Sequence, residues 1–190
     1  MRVVLFSALL CACSGTRIHV EPPPDDVRLP QTAAWIDQIK AVGQPGDWLV
    51  IRGYKAADDL IVVATNTPLS HAAMLDLERG EVIESVAEGV KVSTLQYFVD
   101  HAHRALLIRP RWAEPERGVT AIERARAAVG KGYDFTGLVG LSSKDRYYCS
   151  ELCMYAWQPF QVERDRIPRL IEPGHMFLWG TVLYDSGTRD

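Results

Sequence analysis

The stretch Tyr147-Tyr148-Cys149-Ser150-Glu151-Leu152-Cys153 decides how this sequence folds, because it joins a glycine-rich connector to an apolar run. The run from Ser150 to Trp157 predicts a buried helix, which Pro159 ends. Cys149 then lies where that helix begins, and unpaired N–H groups and the positive end of the helix dipole favour an anion there. Because the thiolate is the nucleophilic form of cysteine, the position predicts a reactive thiol. A small buried hydrophobe is the alternative role for Cys149.

Two upstream strands supply a base and an acid for such a nucleophile. Pro68-Leu69-Ser70 precedes His71, which begins an apolar strand predicted over 71–77. A hairpin turn at 78–81 leads into a strand over 82–86 that carries Glu84 among apolar neighbours. We expect His71 at a sheet edge facing a cleft, with Glu84 beside it to fix the imidazole tautomer. A surface histidine and an exposed strand glutamate are the alternatives.

The sequence pattern predicts further helices and strands in the rest of the domain. Hydrophobic periodicity predicts helices over 31–42 and from Pro115 to Val129, the second with Val119, Ile122, Ala125 and Val129 on one face. Strands are expected over 47–52, 90–92 and 104–111, whereas 60–64 fits either type. Ser93 and Gln96 form a capping box that predicts a short helix after the third strand.

The N-terminus has the features of a bacterial export signal. Arg2 precedes an apolar run from Val3 to Ala12, which is too short to span a bilayer and predicts a signal peptide over 1–12. Leu10-Cys11-Ala12-Cys13 resembles a lipobox, so we expect cleavage before Cys13 and lipidation of its thiol; an ordinary signal cleaved nearby is the alternative. Ser14 provides no aspartate-type retention signal, which favours the outer membrane or periplasm in a diderm host.

A proline-rich segment separates the expected anchor from the folded domain. Residues 13–30 contain Pro22-Pro23-Pro24 and Pro30 with few apolar side chains, which predicts an extended tether. Residues 31–190 then form one domain of ordinary size. Only Cys149 and Cys153 remain within it, and a helical spacing of four does not suit a disulfide.

The composition excludes several classes of protein. The chain has 190 residues, 47% of them hydrophobic and 24% charged, a net charge of −3 and a pI near 6.0. These values are typical of a globular protein, and no basic stripe is present to bind nucleic acid. His101 and His103 could ligate a metal, but no third ligand follows at motif spacing, and no glycine-rich nucleotide loop occurs. We therefore expect neither a metal nor another cofactor.

Five motifs together resemble a known family, over about residues 44–175. They are Gly46-Asp47 to Arg52-Gly53, Leu69-Ser70-His71, Val82-Ile83-Glu84, Gly132-Tyr133-Asp134 and Tyr148-Cys149-Ser150-Glu151-Leu152. In this order they resemble the permuted papain-like amidases, the YiiX-like branch of the NlpC-type superfamily. The resemblance implies an α+β, circularly permuted papain-like fold with an antiparallel sheet packed against helices.

The same resemblance implies a catalytic site and an activity. It assigns Cys149 as nucleophile, His71 as base and Glu84 as orienting acid. A tyrosine upstream of the nucleophile is also a family feature, and we prefer Tyr147 over Tyr148, while Glu151 receives a structural role. The implied activity is hydrolysis of an amide or ester in a peptide, a peptidoglycan stem or a lipid of the envelope. The alternatives are acyl transfer to an alcohol or amine, and a non-catalytic envelope-binding module.

Overall fold

The computed structural model describes residues 18–137 and 145–189, which contain both strands and helices. The strands are β1 (Trp48–Gly53), β2 (His71–Asp76), β3 (Glu81–Val86), β4 (Gly89–Thr94), β5 (Ala102–Pro110), β6 (Gly132–Tyr133), β7 (Arg146–Tyr147) and β8 (Gly180–Asp185). The helices are α1 (Asp25–Val42), α2 (Ala56–Thr65), α3 (Leu95–Asp100), α4 (Pro115–Ala127) and α5 (Cys149–Trp157). None of these helices has the length and apolar character needed to cross a membrane.

Six strands form one sheet in the order β4-β3-β2-β1-β5-β8, and every neighbouring pair is antiparallel. The two-residue strands β6 and β7 pair separately and in parallel. Helices pack against both faces of the sheet, which confirms the predicted α+β architecture. Strands β1 and β2 lie at the centre of the sheet, and helices cover both of their faces.

Alternation along the central strands divides the core between the two faces. Val50, Ala72 and Met74 pack with α4 and α5, whereas Leu49 and Ala73 pack with α1 and α3. A strand buried on both faces reads as a continuous apolar run, which is why 48–51 carries no polar residue. The cysteine-bearing α5 therefore lies directly on β2 and β3.

The tether prediction is wrong for residues 25–30, because α1 begins at Asp25 and includes Pro30. Pro30 favoured a later start for α1, because proline lacks an N–H and disfavours helical backbone angles in the residue before it. The early turns are tied to the domain by the ion pair of Arg28 with Asp100 and by a hydrogen bond from Arg189 to the Arg28 carbonyl oxygen. These tertiary contacts favour the helix despite the proline near its start.

Two other local predictions differ from the structure. Thr94, not Ser93, is the N-cap of α3, and its hydroxyl accepts a hydrogen bond from the Tyr97 N–H at 3.1 Å. In α4 the buried face contains Ile122 and Ala125 as expected, but Val119 is exposed, and Val129 lies beyond the last helical residue and is exposed too. Gly118 packs inward instead of Val119, and an added Cβ there would come within 2.1 Å of the Pro45 carbonyl oxygen. This close approach restricts position 118 to glycine.

Candidate active site

The beginnings of β2 and α5 meet at one end of the sheet and bring His71 together with Cys149. Each residue is the first of its element, both line the same cavity, and the imidazole is close enough to lower the pKa of the thiol. His71 is not at a lateral sheet edge, as the sequence suggested, because β2 has β1 and β3 on its two sides. It lies instead at the end of a central strand, where the strand terminus opens onto a cavity.

The sheet register places an acid and a hydroxyl in line with the histidine. Glu84 pairs with Ala73, so its side chain shares a face with His71, two residues earlier on β2. Glu84 Oε2 lies 2.7 Å from His71 Nε2, which leaves Nδ1 as the ring nitrogen available to Cys149. On the next strand, the Ser93 hydroxyl donates to Glu84 Oε1. The row Ser93–Glu84–His71 therefore crosses three strands and ends at the thiol.

The opposite charges of His71 and its neighbours stabilise one another, and this effect on the pKa values of His71 and Glu84 is larger than that of burial. Burial alone would lower the pKa of His71, but hydrogen bonds and charges from Cys149 and Glu84 raise it to about 10. Burial alone would raise the pKa of Glu84, yet His71 lowers it to about 2, with help from Ser93 and Lys91. The arrangement thus favours a negative carboxylate and a positive imidazolium.

The thiol of Cys149 receives donors besides His71. Burial would raise its pKa, but His71 and the backbone N–H groups of Ala72 and Ser150 hold that pKa below its ordinary value. The adjacent helix start is ordered by Glu151, whose carboxylate accepts the Tyr148 N–H at 3.2 Å. Glu151 thus has the structural role assigned from sequence, as a cap of α5. The site favours a thiolate–imidazolium pair at rest.

A cavity of about 670 Å³ opens beside the thiol, and Cys149, His71 and Glu84 all contribute to its wall. Apolar side chains form much of the remaining wall, and they include Leu60, Ile61, Phe98, Phe135, Leu170 and Ile171. Charged side chains also line the cavity, namely Lys55, Asp58, Glu88, Lys91 and Glu172. The cavity can therefore bury an apolar group beside the thiol while polar groups contact the rest of a ligand.

The preference for Tyr147 is wrong, because its side chain points away from the cavity. The ring of Tyr147 packs 4.7 Å from that of Tyr155, and its carbonyl accepts the Ser85 hydroxyl. Tyr148 does line the cavity, but its hydroxyl already donates to the Arg169 carbonyl and accepts the Ile171 N–H. Consecutive residues of an extended segment project to opposite sides, so only one of the two tyrosines can face the thiol.

Two residues to which the sequence analysis gave no role in the site also belong to it. Ser93, interpreted as a helix cap, instead hydrogen-bonds Glu84. Tyr133 lines the cavity, and burial together with the nearby negative charge of Cys149 raises the pKa of its hydroxyl. The motif Gly132-Tyr133-Asp134 is a sequence signal that could have identified Tyr133. For Ser93, the neighbouring sequence is the same as that of a helix N-cap, so no local signal could have identified its role.

The remaining candidate residues lie apart from this cluster. His101 lines the cavity but bonds the carbonyl of Tyr97 through Nδ1, and the ring of His103 packs against Tyr54 at 5.9 Å. The two histidines are therefore engaged separately. Cys13, the predicted lipidation site, lies outside the described residues.

Comparison with known proteins places this site in a family context. A family model described as permuted papain-like amidase, YaeF/YiiX, C92 family, matches residues 45–170. A similar solved structure is that of the metalloprotein YiiX from Escherichia coli O157:H7, with a TM-score of 0.53 and 27% sequence identity. The match covers 64% of this chain and 68% of that one. No curated protein matches the chain.

Although that similar protein is called a metalloprotein, the residues described for this chain do not fit a metal site. No group of three or more histidine, cysteine, aspartate or glutamate residues suited to a metal occurs within 18–137 and 145–189. At the cavity wall, His71 Nε2 is hydrogen-bonded to Glu84, so its Nδ1 is the ring nitrogen left to face Cys149. The chemistry is therefore derived from the side chains alone.

Proposed function

Because the chain belongs to the YaeF/YiiX family of permuted papain-like amidases, a group of cysteine peptidase- or amidase-like hydrolases, we propose that it cleaves an amide or ester through Cys149. The observation that supports this most strongly is that His71, which is hydrogen-bonded to Glu84, adjoins Cys149 at the wall of a cavity. Each member is held in the charge state that nucleophilic catalysis needs.

The proposed reaction begins with attack of the Cys149 thiolate on the substrate carbonyl carbon. The imidazolium of His71 then donates its proton to the leaving amine or alcohol, which departs and leaves a thioester acyl-enzyme. Neutral His71 next removes a proton from water, and the resulting hydroxide attacks the thioester. Collapse of the second tetrahedral intermediate releases the acid and regenerates the ion pair.

Glu84 and the start of α5 support both steps. The Glu84 carboxylate holds Nε2 of His71 and stabilises the imidazolium, as the acid of a serine protease triad does. The tetrahedral oxyanion would form beside the first turn of α5, where backbone N–H groups without helical partners, such as that of Ser150, can stabilise it. No other group is needed to balance the reaction.

The cavity favours a particular kind of acyl group. Aliphatic and aromatic side chains form much of its wall, with Leu60, Phe98 and Leu170 among them. Burying a hydrocarbon chain against these side chains removes apolar surface from water. We therefore propose that the acyl donor is lipid-like rather than a stem peptide.

Intact-mass spectrometry tests this function directly. Wild-type protein incubated with cell-envelope extract should gain the mass of an acyl group, and Cys149→Ala should gain none. The added mass identifies the acyl chain, and analysis of released products distinguishes transfer to water from transfer to an alcohol or amine. An equal adduct on Cys149→Ala would contradict the assignment of the nucleophile.

We further propose that the enzyme is a lipoprotein of the cell envelope, anchored through Cys13. The lipobox-like Leu10-Cys11-Ala12-Cys13 supports this location. Replacing Cys13 with Ala should leave unprocessed precursor, and globomycin should have the same effect on the wild type. A wild-type protein that matures without lipid, or despite globomycin, would exclude the anchor.

A further inference from the structure

Helix α2 has its apolar side turned outward. None of its residues is buried, although most are apolar. Leu60 is 70% exposed and Val63 is 58% exposed, and both lie on a stripe with the exposed residues Ala56 and Ala57. A surface helix ordinarily shows the opposite pattern, with its apolar stripe against the core. The exposed apolar face of α2 therefore indicates an interaction surface that no other part of the described domain covers.

The polar residues of α2 are used on its inner side. Asp58 accepts hydrogen bonds from the Ser70 hydroxyl at 2.6 Å and from the Lys55 N–H at 2.9 Å. Asp59 pairs with Arg52 and with His19. These bonds fix the rotation of the helix, so the apolar stripe cannot turn inward without breaking them.

The N-terminal segment is fastened to the same helix. The Arg52 guanidinium donates to the Ile18 carbonyl at 2.8 Å, and His19 Nδ1 lies 2.7 Å from Asp59 Oδ2. Cys13 precedes Ile18 by five residues, a span of at most about 18 Å when fully extended. A lipid attached to Cys13 would hold the membrane surface within that distance of Ile18, whose neighbour His19 contacts α2.

The mouth of the cavity adjoins this face. Leu60 lines the cavity and also belongs to the exposed stripe, and Phe135, which is 61% exposed, lines it as well. Exposed Lys55 precedes the helix and lines the same opening. Apolar side chains beside a lysine suit the boundary between acyl chains and anionic headgroups.

We propose that the outer face of α2, defined by Ala56, Ala57, Leu60 and Val63, docks on the lipid bilayer to which Cys13 is anchored. The docked face opens the cavity toward the membrane. A second copy of the chain is a less suitable occupant, because the anchor already holds a lipid surface beside the helix. The inference rests on the proposed lipid anchor and not on the hydrolase chemistry.

Tryptophan quenching by brominated lipid tests this docking in the acylated mature protein. The protein is reconstituted in vesicles of phosphatidylcholine brominated in the acyl chains with phosphatidylglycerol. Val63→Trp is the probe, because Val63 does not line the cavity. Val162→Trp is the control, since Val162 is 89% exposed and adjoins Glu163, which pairs with Arg111 beyond the far end of β5.

Interfacial helices bury their apolar face roughly 5–10 Å into the headgroup boundary, so the added emission of Val63→Trp should fall at least about twofold. The emission of Val162→Trp should match that in unbrominated vesicles, and wild-type protein supplies the background. The same quenching in a Cys149→Ala background would show that docking is independent of catalysis.

Three results would overturn the proposal. The first is an acylated Val63→Trp protein that shows no quenching. The second is a concentration-dependent blue shift without quenching, which assigns the face to a second copy of the chain. The third is intact mass without an acyl group at Cys13, which removes the anchor on which the argument depends.

Discussion

The first and second turns of α5 each contain a cysteine, and the pKa values of the two thiols are shifted in opposite directions. Cys149 opens the helix, and its neighbours hold the pKa of its thiol below the ordinary value. Cys153 lies one turn later within the core, where burial raises the pKa of its thiol well above the ordinary value. Both cysteines are buried and free. Burial therefore does not decide their reactivity.

The difference comes from what each thiol contacts. At Cys149 an imidazole and two backbone N–H groups compensate the loss of water, so the anion is stabilised. At Cys153 the surrounding side chains are apolar, and the negative charge of Cys149 adds a repulsion. A thiolate within a protein thus needs specific donors, and the start of a helix beside a histidine supplies them.

The largest expected effect separates the two cysteines by activity. Cys149→Ser should lower turnover by at least about 10⁴-fold, because loss of a nucleophile disables the whole catalytic unit. Cys153→Ser should leave turnover within about twofold and cost about 1–3 kcal/mol of unfolding free energy, since it buries a hydroxyl among apolar groups. Kinetics and denaturant unfolding of both variants measure these effects. Equal losses of turnover would remove the distinction.

The acid beside His71 should have the next largest effect. Glu84→Gln keeps the shape of the side chain but cannot stabilise the imidazolium, so turnover should fall by roughly 10- to 10⁴-fold. Steady-state kinetics with intact folding, verified by circular dichroism, measures the loss. Turnover that stays within twofold of wild type would make Glu84 a structural residue only.

The same substitution should change how stability depends on pH. Because the folded-state pKa of Glu84 is lowered from 4.5 to about 2, its stabilisation is complete above pH 4.5 and is lost as pH falls toward 2. For His71 the pKa is raised from 6.5 to about 10, so its stabilisation is complete below pH 6.5 and lost as pH rises through 10. Denaturant unfolding should find the wild-type advantage over Glu84→Gln largest at pH 5 and reduced near pH 2. A constant difference would contradict the charge assignment.

A smaller effect is expected at Ser93. Its hydroxyl donates to Glu84 but contacts neither the thiol nor the imidazole. Ser93→Ala should therefore lower turnover by only about 2- to 10-fold, or about 0.4–1.4 kcal/mol, which is the typical net contribution of one hydrogen bond. Ser186→Ala is the matched control, because that hydroxyl bonds the Ala105 N–H on a different strand pair. If both variants behave alike, Ser93 does not act through Glu84.

Much of this site was predictable from the sequence, because its members lie at the ends of recognisable elements. Cys149 follows a glycine-rich connector, and His71 follows a proline-containing turn, so each begins its element. Glu84 could be placed beside His71 because a short hairpin joins their strands. These inferences depend on local signals and on one short-range pairing.

The errors arose where distant parts of the chain decide the structure. Strand β8 pairs with β5 across about 70 residues, and nothing in 180–185 indicates that partner. Ser93 has the sequence of a helix cap, yet a cross-strand carboxylate competes for its hydroxyl. The choice between Tyr147 and Tyr148 depends on which way a two-residue strand faces, which spacing alone does not determine.

The central claim is that the surroundings of Cys149, and not its burial, make it the reactive thiol. Iodoacetamide labelling as a function of pH, followed by peptide mapping, tests this most directly. Cys149 should label first, with an apparent pKa below the ordinary value of about 8.5, and His71→Ala should raise that pKa. Faster labelling of Cys153, or a Cys149 pKa that His71→Ala leaves unchanged, would contradict the account.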